Sequence, residues 1–317
     1  MEPLKIKPVY DKTIWAGERL SRIRHEKSEG YGTSWEISAH PYCSNVVVNT
    51  LDAGKTLQEL IDSRPVEMLG RANQAHLMRC AFLDAAAPLS IQVHPNESYA
   101  RNDNGDHGKT ESWYILEAEA GATLVAGVNN DNPAVIKKAI AEKTLEQYLI
   151  KHPVKAGDFI HIPCGELHAL GAGILAIEMG TNSNTTYRFY DYGRKGKDGK
   201  ERELHLDKSF DVVDLDLHSQ VKHFRLDNLN ANCIQTMVEC DDYKIEVIDV
   251  VDSMVLDSED CFNCLVVVEG QCLLESSGKE IEAKRCDSFF IPASCAKYQI
   301  KGKCRIIRGI PHISHTF

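Results

Sequence analysis

The stretch Gly157-Asp158-Phe159-Ile160-His161-Ile162-Pro163-Cys164-Gly165-Glu166-Leu167-His168 decides how this chain is read. Gly157 opens a short apolar strand, Pro163 and Gly165 end it in a tight turn, and the turn delivers His168 at a fixed height. Upstream, Ser90-Ile91-Gln92-Val93-His94-Pro95 has the period of two of a strand. Ser90, Gln92 and His94 fall on one face, Ile91 and Val93 on the other. Between them, Lys109-Thr110-Glu111-Ser112-Trp113-Tyr114-Ile115-Leu116 sets Glu111 at the head of a third strand. Gln92, His94, Glu111 and His168 on three β-elements form a candidate divalent-metal site, because imidazole, carboxylate and amide oxygen together suit such ions. The expectation is a metal-bearing β-barrel.

Composition narrows the rest. A chain of 317 residues is long enough for one large domain or two ordinary ones with a substantial core. No apolar run reaches the roughly 18 residues of a membrane span, and Met1-Glu2-Pro3-Leu4-Lys5 lacks a signal-peptide pattern. A cytoplasmic protein without a membrane partner is expected. Most of the 11 cysteines, Cys80, Cys264 and Cys304 among them, sit in strand-like segments, which suits buried reduced thiols. Cys261 and Cys264 have CxxC spacing, but no second pair of zinc-ribbon spacing accompanies them. A net charge of −10 argues against a nucleic-acid partner, so an anionic ligand must meet a few local cations.

Short strands with turn signals dominate, as in an all-β architecture. Helical pattern appears mainly in Thr56–Ser63, where Thr56 and Glu59 read as a capping box, and in Pro133–Ile150, broken near Glu142-Lys143-Thr144 into two helices. The second helical stretch, about 131–152, is an excursion from the barrel. A charged, glycine-rich loop follows at Tyr192 to Arg202, with Lys197 and Asp198 at its centre. Strands resume beyond Leu215, and Cys286-Asp287-Ser288-Phe289-Phe290-Ile291-Pro292 repeats the spacing of 157–163. Lys297 stands where the repeat would place the counterpart of His168. Two barrels are expected, 1–215 bearing the metal and 216–317 metal-free. His161 reads as a packing residue or one that supports the ligands from behind, and His76, His107, His152, His312 and His315 as surface residues.

The pattern Gly-x5-Pro-x-Gly-x2-His at 157–168 matches the second motif of the cupin superfamily, and Gln92-Val93-His94-Pro95 with Glu111 resembles a stretched first motif. At finer grain the chain resembles the class I mannose-6-phosphate isomerase family, in its short bacterial form. The resemblance rests on Trp15-Ala16-Gly17, Ser34-Trp35-Glu36-Ile37-Ser38, Phe82-Leu83-Asp84-Ala85, Leu89 to Asn96, Gly108 to Tyr114, Leu167-His168-Ala169 and Thr185 to Tyr192. It is strong from Trp15 to about Phe210 and weaker beyond.

That resemblance implies two cupin (jelly-roll) barrels and one zinc ion held by Gln92, His94, Glu111 and His168. It implies interconversion of mannose 6-phosphate and fructose 6-phosphate through a cis-enediol. Arg188, Lys109 and Glu178 match catalytic positions of the family, with Glu178 a candidate base whose burial would raise its basicity. Ser90 is a candidate phosphate donor. The family's usual lysine and aspartate are replaced by Ala81 and Asn184, and Arg79, on the face of Ala81, is the candidate substitute cation at the substrate. The alternatives are an isomerase of another aldose or aldose phosphate, and a non-catalytic sugar-binding cupin.

Overall fold

Alternation explains the three apolar cores of the molecule. In the strand Asp158–Ile162, Ile160 and Ile162 point one way and Phe159 the other, and all three are buried. A strand buried on both faces must lie between two cores. The computed structural model describes residues 1–196, 199–224 and 229–313; Lys197, Asp198 and His315 lie outside the described residues.

Among the described residues the chain forms three main antiparallel sheets. A seven-stranded sheet has the order Lys222–His223, Asp158–Ile162, Glu111–Ala118, Ile174–Thr181, Met78–Ala85, Tyr31–Ile37 and Val9–Lys12. It faces a five-stranded sheet of Leu149–Pro153, Thr123–Val128, His168–Leu170, Ile91–Val93 and Tyr187–Tyr190. These two sheets enclose the first barrel's core, with Trp113, Ile115, Ile160, Ile174 and Ala176 at its centre. The helices Pro133–Ala141 and Leu206–Val212 cover the outside of the five-stranded sheet, where Phe189 meets Phe210 with ring centroids 5.1 Å apart.

A nine-stranded sheet makes the second barrel, with Tyr243–Val250, Lys297–Pro311, Asn263–Ser276 and Ser288–Ile291 at its centre. Leu265, Val267, Phe289 and Ile291 fill its own core. Val266, Val268 and Phe290 point the other way and pack with Phe82, Tyr114, Phe159 and Ile177 into a third core between the barrels. Each large apolar side chain so buried contributes about 1.5–3 kcal/mol, so the packing of the second barrel on the first adds to the stability of both.

Leu4–Lys7, at the start of the chain, belongs to this second sheet: it pairs with Ser288–Ile291 on one side and Val46–Val47 on the other. The chain therefore interleaves across the expected boundary near residue 215. The capping box forms as read, with Thr56 accepting from the Glu59 amide and Glu59 from the Thr56 amide. The helical reading of 133–150 is too long. The helix ends at Ala141, a single turn covers Leu145–Gln147, and Leu149–Pro153 is an edge strand on Thr123–Val128. Edge pairing overrides the apolar spacing there. No helix among the described residues is long and apolar enough to cross a membrane.

Candidate active site and metal centre

The inside of the first barrel is graded from apolar to charged. Across the seven-stranded sheet the inward residues of Ile174–Thr181 run Ile174, Ala176, Glu178, Gly180 against Ala85, Leu83, Ala81, Arg79. On the other side the same residues meet Ile115, Trp113 and Glu111 opposite Ala176, Glu178 and Gly180. Gly180 is required between Arg79 and Glu111, because a Cβ there would lie 2.3 Å from the Thr110 carbonyl oxygen. In the facing sheet, His168, Gln92 and Arg188 stand side by side across three strands. Both sheets thus bring their charged and metal-ligating side chains to one end.

His94, Glu111 and His168 converge there, each at most 1 % exposed. The Nδ1 of His94 lies 2.9 Å from the Thr185 carbonyl oxygen and that of His168 lies 2.8 Å from the Glu166 carbonyl oxygen. A carbonyl can only accept, so each Nδ1 carries the proton and each Nε2 presents a lone pair. These two nitrogens are 3.1 Å apart, close enough for both lone pairs to be directed at one cation. Glu111 Oε1 is 3.2 Å from His168 Nε2, and Oε2 is 3.5 Å from His94 Nε2. Donors around a tetrahedral ion with bonds of about 2.0–2.2 Å stand about 3.3–3.6 Å apart, so this donor set, 3.1–3.5 Å apart, is close to what a small divalent ion would draw together. The Gln92 amide, with its Nε2 3.3 Å from His168 Nε2, borders the same point and can turn its oxygen toward it.

Both Glu111 oxygens are buried without an aligned hydrogen bond, although Lys109 Nζ lies 2.5 Å from Oε2. This is proximity without direction, as expected of a carboxylate shaped for an ion. Burial alone would raise the Glu111 carboxyl, but Lys109 and the two imidazoles outweigh it and hold it well below the usual range. Burial and the Lys109 charge push His94 down to about 3, which keeps its ring neutral and ligand-ready. Burial, partly opposed by Glu111, also brings Lys109 down to about 8.

Lys109 Nζ also lies 3.4 Å from Glu178 Oε1, the oxygen that accepts a hydrogen bond from Arg79. The Glu178 carboxylate is buried between two cations, Lys109 and Arg79. Ala81 is fully buried directly opposite Glu178, and its small side chain leaves the carboxylate to Arg79. Arg79 stacks 4.6 Å over Trp35 and also donates to the Ser183 carbonyl oxygen and to Asn184 Oδ1. Ser90 is buried on the Gln92 side of its strand.

Arg188 donates to the Glu203 carbonyl oxygen, while its Nε is buried without a partner. Burial and the nearby Arg202 and Arg194 charges push it below the ordinary guanidinium value. Arg194 and Arg202 both clamp Asp191. This arginine cluster was not singled out in the sequence, where the residues look like loop charges. His161 does lie away from the site, with its Nδ1 3.1 Å from Ser112 Oγ and 3.4 Å from the Tyr243 hydroxyl between the barrels. His107 is half-buried and lines a cleft of about 1090 Å³ beside the site, together with His40, Asp106, Asn184 and Thr185. The ligand side chains lie behind that wall.

Comparison with known proteins identifies the family. The mannose-6-phosphate isomerase ManA of Bacillus subtilis is 34% identical over 313 residues, covering 96% of this chain and 98% of that one. This chain belongs to the type I phosphomannose isomerase family. The family model for the type I phosphomannose isomerase catalytic domain matches residues 4–152, and that for the mannose-6-phosphate isomerase cupin domain matches 233–311. A mannose-6-phosphate isomerase of Streptococcus mutans is 39% identical over 215 residues, 67% of this chain and 68% of the relative. The crystal structure of the mannose 6-phosphate isomerase from Bacillus subtilis superposes with a TM-score of 0.87 at 30% identity, covering 98% of this chain and 99% of that one. The family's two-barrel cupin architecture is the fold described above.

Proposed function

We propose that this chain isomerises mannose 6-phosphate and fructose 6-phosphate through a cis-enediol, with one zinc ion held by Gln92, His94, Glu111 and His168. The observation that carries the reading is the pair of inward imidazole nitrogens, 3.1 Å apart, whose Nδ1 atoms are both committed to carbonyls. The names of its relatives support the substrate. When bound, the ion supplies a Lewis acid that polarises the sugar carbonyl and steadies the developing enediolate oxygen.

The chain's own residues supply the remainder. Glu178 Oε1 and Lys109 Nζ, 3.4 Å apart, are the pair that takes up and returns the proton as it moves between C2 and C1. Arg79 holds the Glu178 carboxylate through one terminal nitrogen while the other is anchored on Ser183 and Asn184. Arg188, beside Gln92 with an unpaired Nε, places fixed positive charge where the sugar's anionic groups lie, and Ser90 adds a hydroxyl on the same strand face. A cytoplasmic setting fits the 11 unpaired cysteines.

The test is a coupled assay of the zinc-loaded protein on a panel of aldose phosphates and unphosphorylated mannose, with and without chelator. Mannose 6-phosphate is expected to give the highest kcat/KM, and chelator should abolish turnover. A preference for another aldose, or turnover indifferent to chelator, would overturn the reading.

A further inference from the structure

The side chain of Asp106 lies on the wall of the cleft, outside the ligand cluster, and is only 15% exposed. Its Oδ1 accepts from the His107 amide at 2.7 Å and from His40 Nε2 at 3.1 Å. His40 can be assigned as that donor because its Nδ1 accepts from the Tyr42 amide. Oδ2 accepts from the Asn184 amide at 3.0 Å and the Thr185 hydroxyl at 2.8 Å. Ser183 Oγ is also near, at 3.3 Å, but its proton goes to the His107 carbonyl oxygen at 2.7 Å. Four donors fill the four lone-pair positions of a carboxylate, so Asp106 has nothing left with which to receive a sugar hydroxyl.

What Asp106 grips is the segment 183–185, and that segment holds both halves of the site. The Thr185 carbonyl fixes His94 through Nδ1, and the Ser183 carbonyl and Asn184 Oδ1 take two bonds from Arg79, which in turn orients Glu178. We propose that Asp106 is a positioning residue, joining the alignment of the metal ligand His94 to that of the Arg79–Glu178 pair through the backbone of 183–185. This rests on the reading of His94 as a metal ligand.

The experiment is Zn²⁺ affinity by chelator competition on Asp106→Asn, alongside kcat and KM for mannose 6-phosphate. The amide keeps the shape but turns one acceptor into a donor that faces donors. Zn²⁺ affinity should fall about 10–100-fold and kcat by a similar factor, with KM within about threefold and melting still cooperative. A folded Asp106→Asn protein that binds Zn²⁺ within twofold of the wild type overturns the proposal. If that variant does not fold, Thr185→Val decides, since it removes one donor to Asp106 and keeps the carbonyl. It should weaken Zn²⁺ about 3–10-fold, and unchanged affinity overturns the proposal. Should the wild type fail to turn over mannose 6-phosphate, the functional reading falls while the Zn²⁺ measurement still judges Asp106.

Discussion

The two barrels repeat one turn and put it to different uses. In the first, Asp158 accepts from the amide of Lys155; in the second, Asp287 accepts from the amide of Lys284, at the same spacing and the same 2.9 Å. Gly157 and Cys286 precede these aspartates with positive φ of 87° and 69°. Each turn is followed by a strand buried on both faces, Asp158–Ile162 or Ser288–Ile291, and then by a new strand beginning at His168 or Lys297. His168 is fully buried against Gln92 and Trp113, whereas Lys297 is exposed and paired across the ladder with Asp257. The architecture of a ligand-delivering turn is independent of the ligand. The residue at its exit differs, His168 in the first barrel and Lys297 in the second.

The largest effect expected from breaking this comparison is on folding itself. A chain cut after Leu215 loses the partners of Phe82, Phe159 and Ile177 in the shared core, and leaves Leu4–Lys7 without Ser288–Ile291. It should show no cooperative melting by calorimetry; a soluble, cooperative and active fragment would disprove the covering role of the second barrel. Next comes His168→Ala, which should cost at least about 100-fold in metal affinity and in turnover, since even residues that only orient a ligand cost 10–100-fold. Elemental analysis of the purified variant checks it, and full metal content would remove His168 from the ligand set.

A smaller, pH-dependent effect is expected between the barrels. Burial, and then the Lys222 charge, lowers His161 to about 4 from the ordinary imidazole value of about 6.5. Ser112 and Tyr243 are its partners there. Since the folded state prefers the neutral ring, the unfolded chain binds more protons across that window. The contribution of His161 is therefore complete above about pH 6.5 and is lost as the pH falls toward 4, amounting to at most about 3 kcal/mol. Urea titrations at pH 7 and pH 4.5 should show His161→Asn with a flatter pH dependence than the wild type; an equal slope would exclude this group. Smallest of all is Lys297→Ala, which removes an exposed side chain and should change stability by less than about 0.5 kcal/mol and leave metal content untouched. A larger loss of either would mean that the second turn has kept a role.

Much of this was legible because the decisive residues sit in regular patterns. The alternation of Ser90 to His94 and the turn of 157–168 determine the faces on which Gln92, His94 and His168 stand, so sequence alone could gather them. The strands Leu4–Lys7 and Met78–Ala85 were harder. Met78–Ala85 is buried on both faces and carries no alternation of period two, whereas Leu4–Lys7 alternates but is only four residues long and has its partners in distant parts of the chain. Asp106 was invisible for another reason. It lies in the turn Asn104-Gly105-Asp106, and its importance comes from partners some 80 positions away, such as Thr185. The pairing of Arg79 with Glu178 likewise depends on register across two strands, which the sequence of neither strand reveals.

The pairing of Leu4–Lys7 with Ser288–Ile291 also fixes an order of events in the life of the chain. A strand made among the first residues leaves the ribosome long before its partner exists, and until then it offers an unpaired edge with Leu4 and Ile6 uncovered. The candidate metal ligands lie within 92–168 and are made early, while the core shared by the two barrels must wait for Asn263–Ser276 and Ser288–Ile291. Contacts of such sequence separation form slowly, so the interval before that shared core closes is when this enzyme is most exposed to aggregation.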